Sequence, residues 1–211
     1  MPLVYQQNIN PFTRLGVWHI AEPESFFTEA VPLQREITHP NKRLQHLAGR
    51  FLLKELYPDF PYELIKIADT RKPFLANEAY HFSISHCGDY AAVMVSKESR
   101  VGVDVERVHA KVQKVKHKFL GADEQLLIEQ AAPGCTDHYI RLLTTAWSIK
   151  ESLYKWYGYG EVDFIDHLQI KTLSITDNTG VACCTIMKDA PIELVVHFLY
   201  FNSNCISWVL S

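Results

Sequence analysis

Asp104 and Glu106 stand two residues apart in the run Val101-Gly102-Val103-Asp104-Val105-Glu106. In an extended strand successive side chains point to opposite faces, so the valines share one face and both acids share the other. Two carboxylates a few ångströms apart repel each other. Without a cation one is pushed toward its protonated form or the two splay, and a hard, oxygen-preferring ion such as Mg²⁺ is a natural guest. Taken alone, the pair reads more readily as two ordinary surface acids on a strand edge, since such pairs are common. A second set lies in Trp147-Ser148-Ile149-Lys150-Glu151-Ser152-Leu153-Tyr154-Lys155. Leu142, Ala146, Ile149, Leu153 and Trp156 follow the three-four spacing of a buried helix face, whereas Trp147, Glu151 and Lys155 line up on another side. A tryptophan rarely faces open water, so this second face is expected to meet protein or ligand, with Glu151 and Lys155 at the margin of a covered site. The competing reading is an exposed Glu–Lys pair worth ~0.3–0.5 kcal/mol.

The elements that must position these residues follow from periodicity and turn chemistry. The pattern predicts a helix over Asp137 to Tyr157, ended by Gly158 and Gly160. Another helix is predicted from Asn41, as a cap after Pro40, to Tyr57 before Pro58. Its apolar stripe is Leu44, Leu47, Ala48, Phe51 and Leu56, and Arg43, His46, Arg50 and Lys54 make a cationic side. A short strand is predicted over Gly16 to Ala21. His81 to Ser85, Tyr90 to Ser96 and Arg100 to Glu106 read as an antiparallel meander. His109 to Ala132 reads as helical with a break at Gly121. Strands are expected over Gln169 to Ile175, Val181 to Met187, Glu193 to Phe201 and Cys205 to Leu210, joined by turns rich in Asn, Asp and Gly. Each half thus offers one long helix and about three strands. The fold class is α+β, with two similar lobes in a pseudo-twofold arrangement, residues 1–100 and 101–211, expected to pack closely with any site between them.

Composition narrows the function classes. The chain has 211 residues, 47% hydrophobic, enough for a substantial core. A net charge of -3 gives no global pull toward nucleic acid or membrane, so anion binding must rest on local Lys and Arg clusters. Five cysteines form no CxxC pair and no metal-ligand spacing. No cationic leader with an apolar run and no membrane-length apolar stretch is present, and a cytoplasmic protein is the expectation. Gly-x-Ser-x-Gly, HExxH and P-loop patterns are absent, which argues against esterase, zinc protease and nucleoside-triphosphatase chemistry and makes Ser85 a poor nucleophile.

The strand Gly102-Val103-Asp104-Val105-Glu106 followed by Trp147-Ser148-Ile149-Lys150-Glu151-Ser152-Leu153-Tyr154-Lys155 closely resembles the Sfp-type 4'-phosphopantetheinyl transferases, whose pattern is Gly-x-Asp-x-Glu and then Trp-Ser-x-Lys-Glu-Ser-x-x-Lys. Lys72-Pro73-Phe74, the segment Phe82 to Tyr90 and the basic helix Arg43 to Arg50 resemble the family's upstream segments in order and spacing. Arg71 stands where the family usually has Gly, Ser83 where it has Asn, and Cys87 where it has Ser. Arg adopts a positive φ less cheaply than Gly. The resemblance implies a Mg²⁺-dependent transfer of the phosphopantetheine arm of coenzyme A to a serine of an apo acyl or peptidyl carrier protein, releasing adenosine 3',5'-bisphosphate. It implies Asp104, Glu106 and Glu151 as metal ligands, Glu151 as the group taking the serine proton, and Lys155 as the group neutralising the leaving bisphosphate. Arg43, Arg50, Lys72, Ser85 and His86, together with Asp104, Lys150 and Lys155, are implied as the coenzyme-binding set. The family's carriers are usually acidic, and Lys111, Lys114, Lys116 and Lys118 form a basic stretch suited to docking them, or else a plain solvated helix. A monomer without nucleic-acid or membrane partners is expected. A Mg²⁺-dependent hydrolase of pyrophosphate-linked nucleotides and a non-catalytic carrier-binding module are the competing functions.

Overall fold

The computed structural model describes residues 2–31, 33 and 36–211. The chain divides into two compact units, Met1–Val101 and Gly102–Ser211, each with its own hydrophobic core.

In the first unit β1 (Leu3–Asn10) and β2 (Thr13–His19) precede α1 (Glu24–Thr28) and α2 (Pro40–Leu56). A small hairpin of β3 (Ile65–Ile67) and β4 (Pro73–Leu75) then leads to β5 (His81–Cys87) and β6 (Tyr90–Ser96). The sheet order is β1-β2-β6-β5, and the paired neighbours are antiparallel. Leu47, Leu52 and Leu53 of α2 are fully buried in one cluster with Val93 and Val95 of β6, where the apolar stripe of a 3.6-residue period meets the inward residues of a two-residue period. The helix begins two residues earlier than Asn41 capping would have it. His39 is the cap residue and Pro40 is in the first turn, where a missing N–H costs nothing because that group has no helical partner anyway.

In the second unit β7 (Val101–Arg107) is followed by α3 (Val112–Val115), a 3₁₀ turn over Lys116–Lys118, α4 (Ala122–Ala131) and α5 (Thr136–Tyr157). Strands β8 (Leu168–Thr176), β9 (Thr179–Ile186), β10 (Ile192–Phe201) and β11 (Asn204–Leu210) complete a sheet of order β7-β11-β10-β9-β8. The β8–β9 and β10–β11 hairpins turn with positive φ at Asp177 and at Asn202 and Ser203, residues whose short polar side chains tolerate the left-handed region. Leu142, Leu143, Ile149 and Leu153 of α5 are fully buried against Ala182, Ile186, Val196 and Val209. In each unit a strand that precedes the long helix, β2 or β7, lies beside the unit's last strand, β6 or β11.

Two expectations are corrected. The run Arg100 to Glu106 is not the third strand of a meander with β5 and β6. It forms β7 and pairs with β11 in the second unit's sheet, a choice of partner that local alternation does not encode. The short strand expected over Gly16 to Ala21 spans Thr13–His19 instead, as β2, and it is preceded by a strand that was not expected, β1. It is a polar edge strand whose residues are mostly half-buried or exposed, so it lacks the apolar alternation that marks a strand in sequence.

Candidate active site

The second unit carries the acids. Val101, Val103 and Val105 are buried on one side of β7, and Gly102, Asp104 and Glu106 occupy the other, as a two-residue period requires. Helix α5 lies directly on Gly102. A Cβ there would fall 2.0 Å from the Ser152 carbonyl oxygen and 2.8 Å from the Trp156 nitrogen, so only glycine lets the helix backbone approach this closely. That approach brings the last turns of α5 within reach of the acids. Lys155 Nζ donates to Asp104 Oδ1 at 2.6 Å, with Asp104 almost fully buried. Two turns earlier, Trp147 Nε1 donates to Glu106 Oε1 at 3.1 Å. The indole is held edge-on to Phe119, with centroids 5.1 Å apart, and stacked on Phe164 at 5.5 Å. The Trp147 face of α5 is therefore covered by protein and fixes a carboxylate, which is how a half-buried indole satisfies its N–H.

Glu151 lies between Trp147 and Lys155 on the same face. Burial lifts its carboxyl to about 7, Lys155 opposes the rise, and the charges of Asp104 and Glu106 add to it. The three acids and Lys155 thus form one electrostatic group, with Glu151 titrating near neutrality. Gly158 ends α5 in the left-handed region at φ 76°, its N–H closing on the Tyr154 carbonyl.

Lys150, implied as a phosphate ligand, is placed elsewhere. It is fully buried and its three ammonium protons have three acceptors: Glu124 Oε2 at 2.7 Å, the Phe119 carbonyl at 2.6 Å and the Phe164 carbonyl at 2.7 Å. Burial pulls its pKa down and Glu124 pushes it back up. Glu124 also accepts from the Gly121 and Ile170 backbone N–H groups at 2.9 and 2.8 Å. This network ties α5, α4, β8 and the segments carrying Phe119 and Phe164 together. Lys150 is a structural cross-link that holds the aromatic clamp on Trp147, because an ammonium with its protons so engaged has none to offer a ligand. Glu124 escaped the sequence reading, although the spacing Gly121 to Glu124 with Glu at the third helical position is the capping signature that could have flagged it.

The first unit carries the basic residues implied for the coenzyme. Arg43 is tied to Glu24, its Nε 2.9 Å from both carboxylate oxygens, and its Nη1 donates to the Ile37 carbonyl at 2.9 Å. Arg50 is buried and hydrogen-bonds the hydroxyl of fully buried Tyr62. Burial brings the Lys72 ammonium down to about 8, and Arg100 nearby adds to that fall. Ser85 is buried and His86 exposed in β5. The cationic side of α2 is thus largely covered rather than solvated. Arg71, in the place of the family's glycine, does adopt the left-handed conformation at φ 65°, with its N–H on the Ala68 carbonyl at 2.8 Å and the Ala68 N–H on the Lys72 carbonyl at 2.9 Å. The turn between β3 and β4 therefore keeps a glycine-like path despite the side chain, at a cost of about 1–2 kcal/mol.

Asp104, Glu106 and Glu151 supply only hard oxygen donors, and the Glu151 carboxyl is raised first by burial and then, to a smaller extent, by the charges of Asp104 and Glu106, so the donor set suits Mg²⁺. They are not gathered into a finished cage: among the described residues no group of three or more His, Cys, Asp or Glu side chains is assembled as a metal site, and Asp104 and Glu106 are engaged by Lys155 and Trp147. No helix among the described residues is long and apolar enough to cross a membrane.

Comparison with known proteins agrees with this geometry. Residues 100–202, which hold β7, α5 and most of the strands after them, match the family model of the 4'-phosphopantetheinyl transferase superfamily. The 4'-phosphopantetheinyl transferase AcpT of Escherichia coli (strain K12) is 26% identical over 161 residues, covering 72% of this chain and 80% of the relative. Enterobactin synthase component D of the same strain is 30% identical over 128 residues, covering 59% and 60%. The L-aminoadipate-semialdehyde dehydrogenase-phosphopantetheinyl transferase of Xenopus laevis is 24% identical over 150 residues, covering 64% and 50%. With its strand acids and its Trp-Ser-x-Lys-Glu-Ser-x-x-Lys helix inside the matched segment, the chain is similar over residues 100–202 to the 4'-phosphopantetheinyl transferase superfamily.

Proposed function

We propose that the protein transfers the phosphopantetheine arm of coenzyme A to a serine of an apo acyl or peptidyl carrier protein in a Mg²⁺-dependent reaction that releases adenosine 3',5'-bisphosphate. The observation that carries this reading is the convergence of Asp104, Glu106, Glu151 and Lys155 across the β7–α5 contact, with Lys155 Nζ 2.6 Å from Asp104. Asp104, Glu106 and Glu151 would hold the Mg²⁺, which when bound stabilises charge developing on the pyrophosphate oxygens by several kcal/mol. The protein's own groups do the rest. Glu151, with a carboxyl near 7, takes the proton from the serine Oγ as it attacks the β-phosphorus. Lys155 balances the charge of the bisphosphate as its bond to the β-phosphorus breaks. Trp147 holds Glu106 in place, and the Lys150–Glu124 cross-link holds the helix that presents both catalytic side chains.

The nucleotide end is assigned to Arg43, Arg50, Lys72, Ser85 and His86 of the first unit, whose cations suit a 3'-phosphate and pyrophosphate. The names of the relatives point to different acceptors, and the carrier served by this chain is left as a class. Intact-mass measurement on several apo-carriers with coenzyme A and Mg²⁺ tests the reaction. The expected result is one phosphopantetheine added to at least one carrier, with the rate for Glu151→Gln lower by about 10²–10⁴-fold. Release of adenosine bisphosphate without any carrier gaining mass would replace this reading with hydrolysis.

A further inference from the structure

Asp104 and Glu106 share a face of one strand, and each is engaged by a different residue of α5. Glu106 accepts from the neutral Trp147 indole, 3.1 Å away. That indole packs edge-on against Phe119 and stacks on Phe164. Asp104, only 2% exposed, is instead matched by a full positive charge 2.6 Å away on Lys155. A carboxylate so deeply buried must keep a cation, because desolvating an unmatched charge costs several kcal/mol. Lys155 is less deeply buried. Its side chain is 23% exposed against 3% for Asp104, and its four-carbon stem can carry the ammonium out to water. The backbones cannot adjust in its place, because α5 rests on Gly102 with no room even for a methyl group.

We propose that Lys155 is the exchangeable counter-ion of this site. In the metal-free protein it occupies the carboxylate that a divalent ion needs, and binding of the ion displaces the ammonium from Asp104. Metal binding and the release of Lys155 toward the substrate phosphates are thereby one event, so the lysine becomes available for its catalytic task only when the ion is in place. This rests on the reading that Asp104, Glu106 and Glu151 bind a divalent cation. No bond is made or broken; one cation replaces another on a fixed carboxylate.

Two measurements test it, using the full chain. Free Mn²⁺, followed by electron paramagnetic resonance, reports affinity for the wild type, Lys155→Met and Lys155→Arg. Removing the resident cation is expected to tighten Mn²⁺ binding by about tenfold or more, whereas Lys155→Arg binds no more tightly than the wild type. Metal-free Lys155→Met is expected to melt below the wild type and to recover when Mn²⁺ is added, since the ion restores the charge on Asp104. A merely structural ion pair would show the loss without the recovery. The second measurement needs no substitution. The ¹⁵N signal of the paired Lys155 ammonium, protected from exchange in the metal-free wild type, should vanish as Mg²⁺ is added. Unchanged or weaker Mn²⁺ binding by Lys155→Met, or an ammonium signal that persists at saturating Mg²⁺, overturns the counter-ion role while leaving the metal site standing. A wild type that binds no Mn²⁺ overturns both.

Discussion

At the scale of single residues, two lysines about 1.4 helical turns apart in α5, Lys150 and Lys155, have different fates because of what surrounds them. Lys155 meets a carboxylate at the edge of solvent, and Lys150 is enclosed with Glu124 and two carbonyls. The buried pair is not itself a strong source of stability, since desolvation offsets most of its attraction. Removing one partner is another matter, as it strands the other charge. Lys150→Met is therefore expected to lower unfolding free energy by about 3–5 kcal/mol in urea titrations, with activity falling only as far as folding does. A Lys150→Met protein as stable as the wild type, but with a coenzyme A KM raised severalfold, would return Lys150 to the phosphate-binding set. Sequence could not separate the two lysines. Both lie in the same motif, and the acceptors that enclose Lys150 come from Phe119, Glu124 and Phe164, far along the chain.

At the scale of elements, the site is a contact between one strand and one helix. Alternation in β7 and the three-four spacing in α5 were both legible, down to the buried face of Leu142, Ala146, Ile149, Leu153 and Trp156. What sets their separation is Gly102, whose missing side chain admits the α5 backbone. Gly102→Ala is expected to destabilise the chain by about 3 kcal/mol or more, because the atom it meets is helix backbone rather than a flexible side chain. Chemical denaturation measures that loss, and a cost below about 1 kcal/mol would mean that α5 can slide and that its close approach does not position Lys155. Elements without a strong periodic signal were harder to read. Strand β1 is polar at a sheet edge, and the three-residue strands of the β3–β4 hairpin are too short for any period to emerge.

At the scale of the whole molecule, the net charge of -3 leaves carrier recognition to local patches. Lys111, Lys114 and Lys118 are exposed around α3 and the 3₁₀ turn, whereas Lys116 is half-covered, its ammonium on the Tyr139 hydroxyl at 2.9 Å. The docking surface for an acidic carrier is therefore expected at the three exposed lysines. Charge reversal at Lys114 and Lys118 should raise the carrier KM by about tenfold with the coenzyme A KM unchanged, an effect that weakens with added salt. Steady-state kinetics against each substrate separates the two constants, and an unmoved carrier KM would assign the patch to ordinary solvation.

The sequence by itself determined the α+β class, the long helices, most strands and the resemblance to the 4'-phosphopantetheinyl transferases, because local periodicity and a dense motif of acids, tryptophan and lysines are properties of contiguous residues. Only tertiary structure decided that β7 leaves β6 to pair with β11, that Lys150 is a buried cross-link, and that Lys155 sits on Asp104. Those outcomes depend on desolvation and on partners distant in the chain. Burial and pairing energies are set by the assembled surroundings of a group, which its neighbours in sequence do not specify.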